Sequence, residues 1–297
     1  MINLQIGFSD ILQIIVGGLA MGCVYALVAL GYTITYNSLR VINFAQGDMF
    51  MLGAVFGLTI YLNFGGYYFI SLIFAGLGAA LVGMIIERII FRTLRNSPPL
   101  NLIIATIGVS IVIRALAQII WGSQAMSFPP VFGSSPVKIG PIVIMPSYLW
   151  IIGIAFVSIL FLTFFFKKTL TGKAMLATAQ HRDAASIMGI NIFKSDSLAA
   201  SISAGLGGIG GVLVGPIFFV ETEMGAIAGL KGFAAAVLGG FGSVPGAIVG
   251  GVILGLAENF SASFISSAYR DAVAFLILIG VLVFKPNGIL GKKIMRV

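Results

Sequence analysis

Long apolar segments separated by short polar stretches make up almost the whole of this chain. A membrane-spanning helix needs about 20 predominantly apolar residues, since each residue adds about 1.5 Å along the helix axis. Segments that approach or exceed this length are 11–36, 43–62, 67–86, 100–121, 148–166, 198–220, 225–241, 246–264 and 272–284. The seventh and ninth are short, so the pattern predicts eight or nine spans, and segment 225–241 either spans fully or re-enters. The segments lack the alternation typical of membrane β-strands, which predicts an all-α polytopic bundle.

The composition supports this interpretation, because the chain carries too few charges to cover a surface in water. Only 9% of its residues are charged, 59% are hydrophobic and the mean hydropathy is +1.11. Soluble domains average about 25% charged residues, so this is an integral membrane protein. Basic loops on an anionic leaflet account for the net charge of +8 without a nucleic-acid partner. The lone Cys23 excludes an intramolecular disulfide, and the single His181 predicts no metal or other cofactor.

The distribution of Lys and Arg predicts how the chain is oriented, since basic residues in short loops favour the cytoplasm. The loop at about 122–147 contains only Lys138 and is therefore predicted to be external. This arrangement places the C-terminus in the cytoplasm and the N-terminus outside, which requires an odd number of spans and favours nine. Segment 11–36 is read as a retained span and 1–297 as one transmembrane domain. The basic residues used are Arg88, Arg92, Arg95, Lys167, Lys168, Lys173, Arg182, Lys194, Lys285, Lys292, Lys293 and Arg296.

Glycine is unusually frequent, with 39 residues, and several glycines recur four residues apart. This spacing puts small residues on one helix face, where two backbones approach closely. The pattern predicts a densely packed bundle; helices that slide against each other are the alternative. The repeated positions are Gly18 and Gly22, Gly207, Gly211 and Gly215, Gly246 and Gly250, and Gly251 and Gly255.

A few polar residues lie within or beside the apolar segments, where they are costly and often functional. Asn43, Gln46 and Asp48 have two interpretations: a helix start, with Asn43 as N-cap and Asp48 near the positive end of the helix dipole, or a polar patch lining a translocation path. Glu258 is expected to reach the outer interface, and Arg114 to snorkel outward.

The sequence contains no pattern for catalysis or for ATP hydrolysis. The phosphate-binding loop G-x-x-x-x-G-K-[ST], the zinc motif H-E-x-x-H and the nucleophile motif G-x-S-x-G are all missing. No chain of buried acids suggests a proton relay, which disfavours a proton-coupled carrier. The chain is predicted not to be an enzyme.

One polar, basic segment, at 167–191, does not fit a lipid environment. Its central part contains good helix formers and predicts one short helix at 174–188, bracketed by Gly172 and Gly189. A helix of this length is not stable alone. It either rests on the lipid surface or inserts into a cleft of a soluble partner. The partner is favoured because bulky apolar residues are few.

The chain resembles the branched-chain amino-acid ABC-transporter permeases, and specifically the shorter of their two permease subunits. The resemblance extends from about Gly17 to Gly291 and includes the run G-x-x-Y-A-L-x-A-L-G-Y from Gly22 to Tyr32. It also covers GKAMLATAQHRDAASIMGIN and MGAIAGLKGFAAAVLGGFGSVPGAIVGGVILGLAE. The usual family motif I-N-F-A-H-G-E is similar to INFAQGD here, so Gln46 removes a titratable group and no protonation role is carried over.

The resemblance implies an ATP-driven importer in a bacterial cytoplasmic membrane. The implied partners are a second related permease subunit, two cytoplasmic ATPase subunits and an external substrate-binding protein. Segment 172–191 would be the cytoplasmic coupling helix that docks on an ATPase. The implied coupling residues are Gly172, Met175, Ala179, Arg182, Asp183, Ala185 and Gly189. Candidate residues for the translocation path are Asn43, Gln46, Asp48, Lys231 and Glu258.

The implied substrates are branched-chain or other aliphatic amino acids. A urea or short-amide ABC permease is the alternative within the family, since the external binding protein is expected to select the solute. An ATP-independent channel or carrier and a membrane scaffold without transport are the alternatives outside it.

Overall fold

The structure is a computed structural model that describes residues 7–129, 131, 133, 135–139 and 142–291. It confirms the predicted all-α polytopic bundle. The helices are α1 (Phe8–Leu39), α2 (Gln46–Asn63), α3 (Tyr68–Ile86), α4 (Pro99–Trp121), α5 (Pro146–Lys168), α6 (Leu170–Gln180), α7 (Arg182–Ile187), α8 (Ile192–Val214), α9 (Met224–Gly239), α10 (Val244–Phe264) and α11 (Arg270–Phe284). A π-helical turn, Glu87–Phe91, continues α3, and a short 3₁₀ turn, Ser267–Tyr269, precedes α11. Strands β1 (Val137–Ile139) and β2 (Ile142–Ile144) form an antiparallel hairpin.

Within the described residues, seven helices are long and apolar enough to cross a membrane. Helix α9 is apolar but has only 16 residues, and α2 begins with a polar turn that contains Gln46 and Asp48. Large apolar side chains cover the outside of the bundle, as a lipid or subunit contact requires; examples are Phe74, Ile111, Phe161 and Leu276. Three basic residues of the topology prediction, Lys292, Lys293 and Arg296, lie outside the described residues.

Hydrogen bonds identify which loops share each end of the bundle. At the end that holds α6 and α7, here called the α6–α7 end, the Asn37 side chain at the end of α1 donates to Gly242 O between α9 and α10 (2.9 Å). At the opposite end, here called the hairpin end, Met126 after α4 and Val220 after α8 pair their backbones. The predicted nine-span topology placed the same pairs of loops on one side of the membrane: the loops after α1 and α9, and the loops after α4 and α8.

Two helices start inside the bundle rather than at its surface. Gln46, the first residue of α2, donates to Ser203 O (2.9 Å), and Ser203 is the middle residue of the 23-residue α8. The start of α9 packs against the same point, because a methyl group on Gly47 would lie 2.2 Å from Gly225 O. From this depth α2 runs to the hairpin end and α9 to the α6–α7 end. The loops before both helices therefore fold back into the bundle.

Glycines allow the closest helix contacts, as the four-residue spacing predicted. Gly18 and Gly22 of α1 meet Gly255 of α10, and Gly211 of α8 meets the backbone of α2 at Phe50. A Cβ atom at any of these glycines would overlap backbone atoms or lie within 3.0 Å of them. These positions confirm the densely packed bundle and explain why helices with few bulky side chains bury one another.

Two predicted boundaries were wrong, and local capping explains one of them. The sixth predicted span, 198–220, is shifted from α8 because the Asn191 side chain accepts from Lys194 N and starts that helix earlier. The second predicted span starts too early, because Asn43 lies in the fold-back loop and Ala45 is the residue before α2. Asn43 is consequently not the N-cap; its Oδ1 accepts from Ala45 N (3.1 Å) and shapes the loop.

We expect Gly255→Ala to lower the thermal stability of the detergent-solubilised protein. Its methyl group would lie 2.3 Å from Gly22 N, and overpacking of this kind costs ~1–3 kcal/mol. The matched control is Gly108→Ala in α4, where nothing beyond its own helix lies within 4 Å. The control should leave Tm unchanged or raise it, since alanine favours a helix by ~1 kcal/mol. Equal Tm values for the two variants would contradict this account of the packing.

Candidate functional site

A cavity of about 220 Å³ lies between α1, α2, α4 and α9, at the depth where α2 and α9 begin. Its polar lining consists of Asp48, Ser110 and Arg114. Its apolar walls come from Tyr32, Phe44, Ile107, Ala226 and Leu230. We call it the central cavity. It combines an apolar body with a few convergent polar groups, which is typical of a small-molecule site.

The charged groups of the central cavity form one connected cluster. Arg114 Nε donates to Asp48 Oδ1 (3.0 Å) and Arg114 Nη2 donates to Ser110 Oγ (2.7 Å). The Asp48 side chain is 2% exposed and that of Arg114 29%, so the pair is largely removed from solvent. Glu223, which precedes α9, lies 3.9 Å from the guanidinium. The expectation that Arg114 snorkels outward was wrong, because the buried carboxylate of Asp48 holds it inward.

The backbone supplies the remaining polar character of the central cavity. Gly47, Gly225 and Gly229 line it where the first turns of α2 and α9 touch. The first N–H groups of a helix have no partner within that helix, and they carry the positive end of its dipole. Two such helix starts therefore face the region where Arg114 lies. Glycine at these positions lets the two helix starts pack in direct backbone contact, where all three glycines are buried.

Gln46 has a structural position rather than a place in the lining. Its amide is 1% exposed and exchanges two hydrogen bonds with Ser203, whose hydroxyl also donates to Gly31 O (2.7 Å). This network joins α1, α2 and α8 at mid-depth. Of the three polar residues around the start of α2, only Asp48 lines the central cavity.

Lys231 and Glu258 form a second, separate ionic cluster. Lys231 Nζ lies 2.5 Å from Glu258 Oε1 and 2.6 Å from Asp271 Oδ1, and Arg270 completes the group. The cluster joins α9, α10 and the start of α11. The expectation that Glu258 reaches the outer interface was wrong, since it is almost fully buried and paired. Neither Lys231 nor Glu258 is among the residues that line the central cavity.

The predicted single helix at 174–188 is two helices, α6 and α7, separated by His181 in an extended conformation. Thr169 caps α6 by accepting from Gly172 N (3.0 Å). Gly189, with a positive φ of 82°, ends the turn after α7. The interruption has a physical cause: the side chain of Arg182 pairs with Asp196 of α8, which draws the start of α7 onto the bundle.

The residues expected to couple to an ATPase divide into inward and outward groups. Gly172, Met175 and Ala185 are buried against the chain itself. Asp183 and Gly189 are exposed, and Ala179 is half-buried. The most exposed apolar side chains here are Ile187 (86%) and Met188 (82%) at the end of α7 and Leu170 (86%) at the start of α6, none of which was among the expected residues. An apolar pair at the tip of a polar segment was the signal that would have identified Ile187 and Met188.

A polar node fastens this segment to the bundle. The Arg182 guanidinium pairs with Asp196 and donates to Ser38 O (2.6 Å), while Ser38 Oγ donates to the other Asp196 oxygen (2.7 Å). Arg40 donates to Ala179 O. We call Ser38, Arg182 and Asp196 the Arg182 node. It connects the junction of α6 and α7 to the end of α1 and the start of α8.

Within the part of the chain that the structure describes, no group of three or more His, Cys, Asp or Glu residues could hold a metal ion. The buried acids Asp48 and Glu258 are paired with Arg114 and Lys231 instead.

Comparison with known proteins decides the family. The sequence model described as branched-chain amino acid transport system / permease component matches residues 14–282. The chain belongs to this permease family. It is 37% identical to the high-affinity branched-chain amino acid transport system permease protein LivH of Salmonella typhimurium, over 96% of this chain and 97% of that protein. It is 36% identical to the permease protein BraD of Pseudomonas aeruginosa, over 95% and 96% respectively.

The permease also has a likeness among solved structures. The structure of PsaBC from Streptococcus pneumoniae in complex with Fab covers 96% of the permease, with a TM-score of 0.51 and 15% identity. At this identity the likeness concerns the fold alone. The family is a class of transport proteins rather than of enzymes, and the permease is a multi-pass membrane protein.

We expect the Asp48–Arg114 pair to behave as a coupled unit in stability measurements. Arg114→Gln should lower the free energy of unfolding by up to about 3 kcal/mol, because it leaves the buried Asp48 carboxylate without its counter-ion. Adding Asp48→Asn should recover part of that loss, since no unpaired charge remains. A double-mutant cycle of thermal or denaturant unfolding measures the coupling. Strictly additive losses would contradict the pairing.

Proposed function

We propose that this chain is a membrane-spanning subunit of an ATP-driven importer that moves branched-chain or other aliphatic amino acids across a bacterial cytoplasmic membrane. The observation that carries the proposal is the 37% identity with a branched-chain amino acid permease over almost the full length of both proteins. The apolar walls of the central cavity support it, since they suit an aliphatic side chain.

The proposed assembly contains a second related permease, two ATPase subunits and an external substrate-binding protein. The missing phosphate-binding loop supports this composition, because the energy must come from another chain. The proposed orientation places the α6–α7 end in the cytoplasm and the N-terminus outside. Arg88, Arg92 and Arg95 follow α3 at that end, as the preference of basic loops for the cytoplasm requires.

The proposed docking surface on the ATPase is the exposed tip of the α6–α7 segment. Ile187 and Met188 project there with Asp183 and Gly189 nearby in the chain. An apolar pair of this kind, at the tip of an otherwise polar segment, fits a cleft in a partner. Gly172, Met175 and Ala185 act indirectly in this proposal, by giving the segment its shape.

The Arg182 node is the proposed route by which ATPase motion reaches the central cavity. Ser38 accepts from Arg182, and two residues later Arg40 ends α1 in a left-handed conformation (φ 57°), which is uncommon for a residue other than glycine. The chain then folds back through 41–45 to Gln46 and Asp48. A displacement of α7 would therefore act through Arg182 on the end of α1 and on the fold-back loop.

The direct test is reconstitution of the permease with its partner permease, both ATPases and the binding protein in proteoliposomes. ATP-dependent accumulation of leucine is expected. Leucine uptake by this chain alone, without ATP, would contradict the proposal and favour a channel or carrier. Uptake of urea in place of leucine would favour the amide-permease alternative.

We expect the paired change Ile187→Ser and Met188→Ser to reduce recovery of the ATPase subunits on co-purification by at least tenfold. Both side chains are exposed, so the Tm of the isolated permease should not change. The control is Val143→Ser, an exposed apolar residue of the hairpin at the opposite end, which should leave recovery unchanged. Undiminished recovery from the Ile187 and Met188 variant would place the docking surface elsewhere.

We expect Asp196→Asn to uncouple the assembled complex. The substitution weakens the pair with Arg182 but leaves Ile187 and Met188 in place, so ATPase activity and docking should persist while leucine uptake falls about tenfold. Glu87→Gln is the matched control, since Glu87 is also a buried acid at this end, paired with Arg92 outside the node. The ratio of leucine moved to ATP hydrolysed is the measurement. The same ratio in both variants would remove the node from the coupling route.

A further inference from the structure

We infer that the central cavity recognises the zwitterionic head of an α-amino acid, with Arg114 pairing with its carboxylate and Asp48 with its ammonium group. This rests on the proposed function and adds the chemical basis on which the permease itself selects its solute. The two side chains come from different helices, α2 and α4, and their charged atoms meet 3.0 Å apart at the cavity wall.

The balance of charge in the central cavity favours a zwitterionic solute. A charge can enter a protein interior at mid-membrane depth only if it is paired there. The Asp48–Arg114 pair is neutral, as an amino-acid zwitterion is, and the third charge near the pair, Glu223, has a side chain that is 66% exposed. When the zwitterion enters, one internal ion pair is exchanged for two pairs with the solute, and no charge is left alone. A solute with only one charged group would leave either Asp48 or Arg114 unpaired.

The surroundings of Arg114 favour a carboxylate as its partner, and the Glu223 carboxylate already approaches Nη1 to 3.9 Å. The hydroxyl of Ser110 accepts from Arg114 Nη2 (2.7 Å) and so holds the guanidinium in place. The planar donor groups of the guanidinium match a carboxylate in geometry. The starts of α2 and α9 meet at Gly47 and Gly225, which also line the cavity. The positive dipole ends of these two helices add to the attraction for a negative group.

The rest of the cavity suits a small aliphatic side chain. Its volume of about 220 Å³ is below the usual range of sites for drug-sized ligands. Tyr32, Phe44, Ile107 and Leu230 form walls without charge. Urea and short amides have no charged groups, so they can hydrogen-bond to Asp48 and Arg114 but cannot replace the ion pair if they separate it. The ion pair therefore favours amino acids over the amide alternative.

The test measures equilibrium binding of radiolabelled leucine to the assembled transporter in nanodiscs without the binding protein. Competitors are leucine, leucinamide, which lacks the carboxylate, and 4-methylpentanoate, which lacks the amine. In the native complex, leucine should compete at least tenfold better than either analogue. Urea should not compete.

The variants assign each charge to its partner on the solute. Arg114→Gln should remove the preference for leucine over leucinamide, and Asp48→Asn the preference over 4-methylpentanoate. A general structural defect would lower all affinities together without changing these ratios. Arg114→Lys should retain part of the preference for a carboxylate. If a single variant fails to fold, the double variant Asp48→Asn with Arg114→Gln leaves no unpaired charge and should lose both preferences.

The control Glu87→Gln should keep both preferences, since Glu87 pairs with Arg92 outside the central cavity. Leucine uptake by the full complex with its binding protein is measured in parallel. Two results would overturn this inference and leave the proposed function intact, provided that uptake is normal. One is that leucine does not bind to the nanodisc complex. The other is that the variants keep the native preferences for leucine over leucinamide and 4-methylpentanoate. Absence of leucine uptake by the native complex would instead overturn the proposed function.

Discussion

Helices α2 and α9 begin inside the bundle rather than at its surface, and this placement organises the polar residues around them. Every backbone group at this depth needs a partner in the protein, so a fold-back loop is tolerated only where it is enclosed or lines a cavity. Gln46 and Ser203 fix the start of α2 by exchanged hydrogen bonds, and Gly47 and Gly225 let the start of α9 touch it. The central cavity lies at this contact. The fold must accommodate the polar groups of the central cavity at this same contact.

This arrangement separates the tasks of the polar residues. Asp48 and Arg114 face the cavity, whereas Lys231 and Glu258 tie α9 to α10 and α11. The Arg182 node ties the α6–α7 segment to α1, directly before the loop that leads to Asp48. Each of these charged groups pairs with a counter-ion on another helix. A helix that moves must therefore either carry the other helix along or break the ion pair. Such pairs are therefore suited to transmit a displacement between rigid helices.

Sequence reasoning predicted the membrane class, the helical architecture, the grouping of loops and the close glycine contacts, because these depend on local composition and spacing. It did not predict that α2 and α9 begin at mid-depth, since that depends on the contact of Gly47 with Gly225, far apart in the chain. The roles of Arg114 and Glu258 were missed for the same reason: an isolated charge in an apolar helix does not reveal its partner. The break at His181 also has a distant cause, the attraction of Arg182 to Asp196.

The proposed transport cycle requires the cavity between α2, α4 and α9 to open to opposite sides of the membrane with and without bound ATP. Cys23 is the only cysteine, so Ile107→Cys in a Cys23→Ala background places one thiol at the exposed rim of the cavity. Modification of the complete complex in proteoliposomes by a membrane-impermeant thiol reagent, applied from each side with and without ATP, is the most direct measurement. We predict that the reactive side changes when ATP binds. Reaction from the same side in both states, or from neither, would contradict the account.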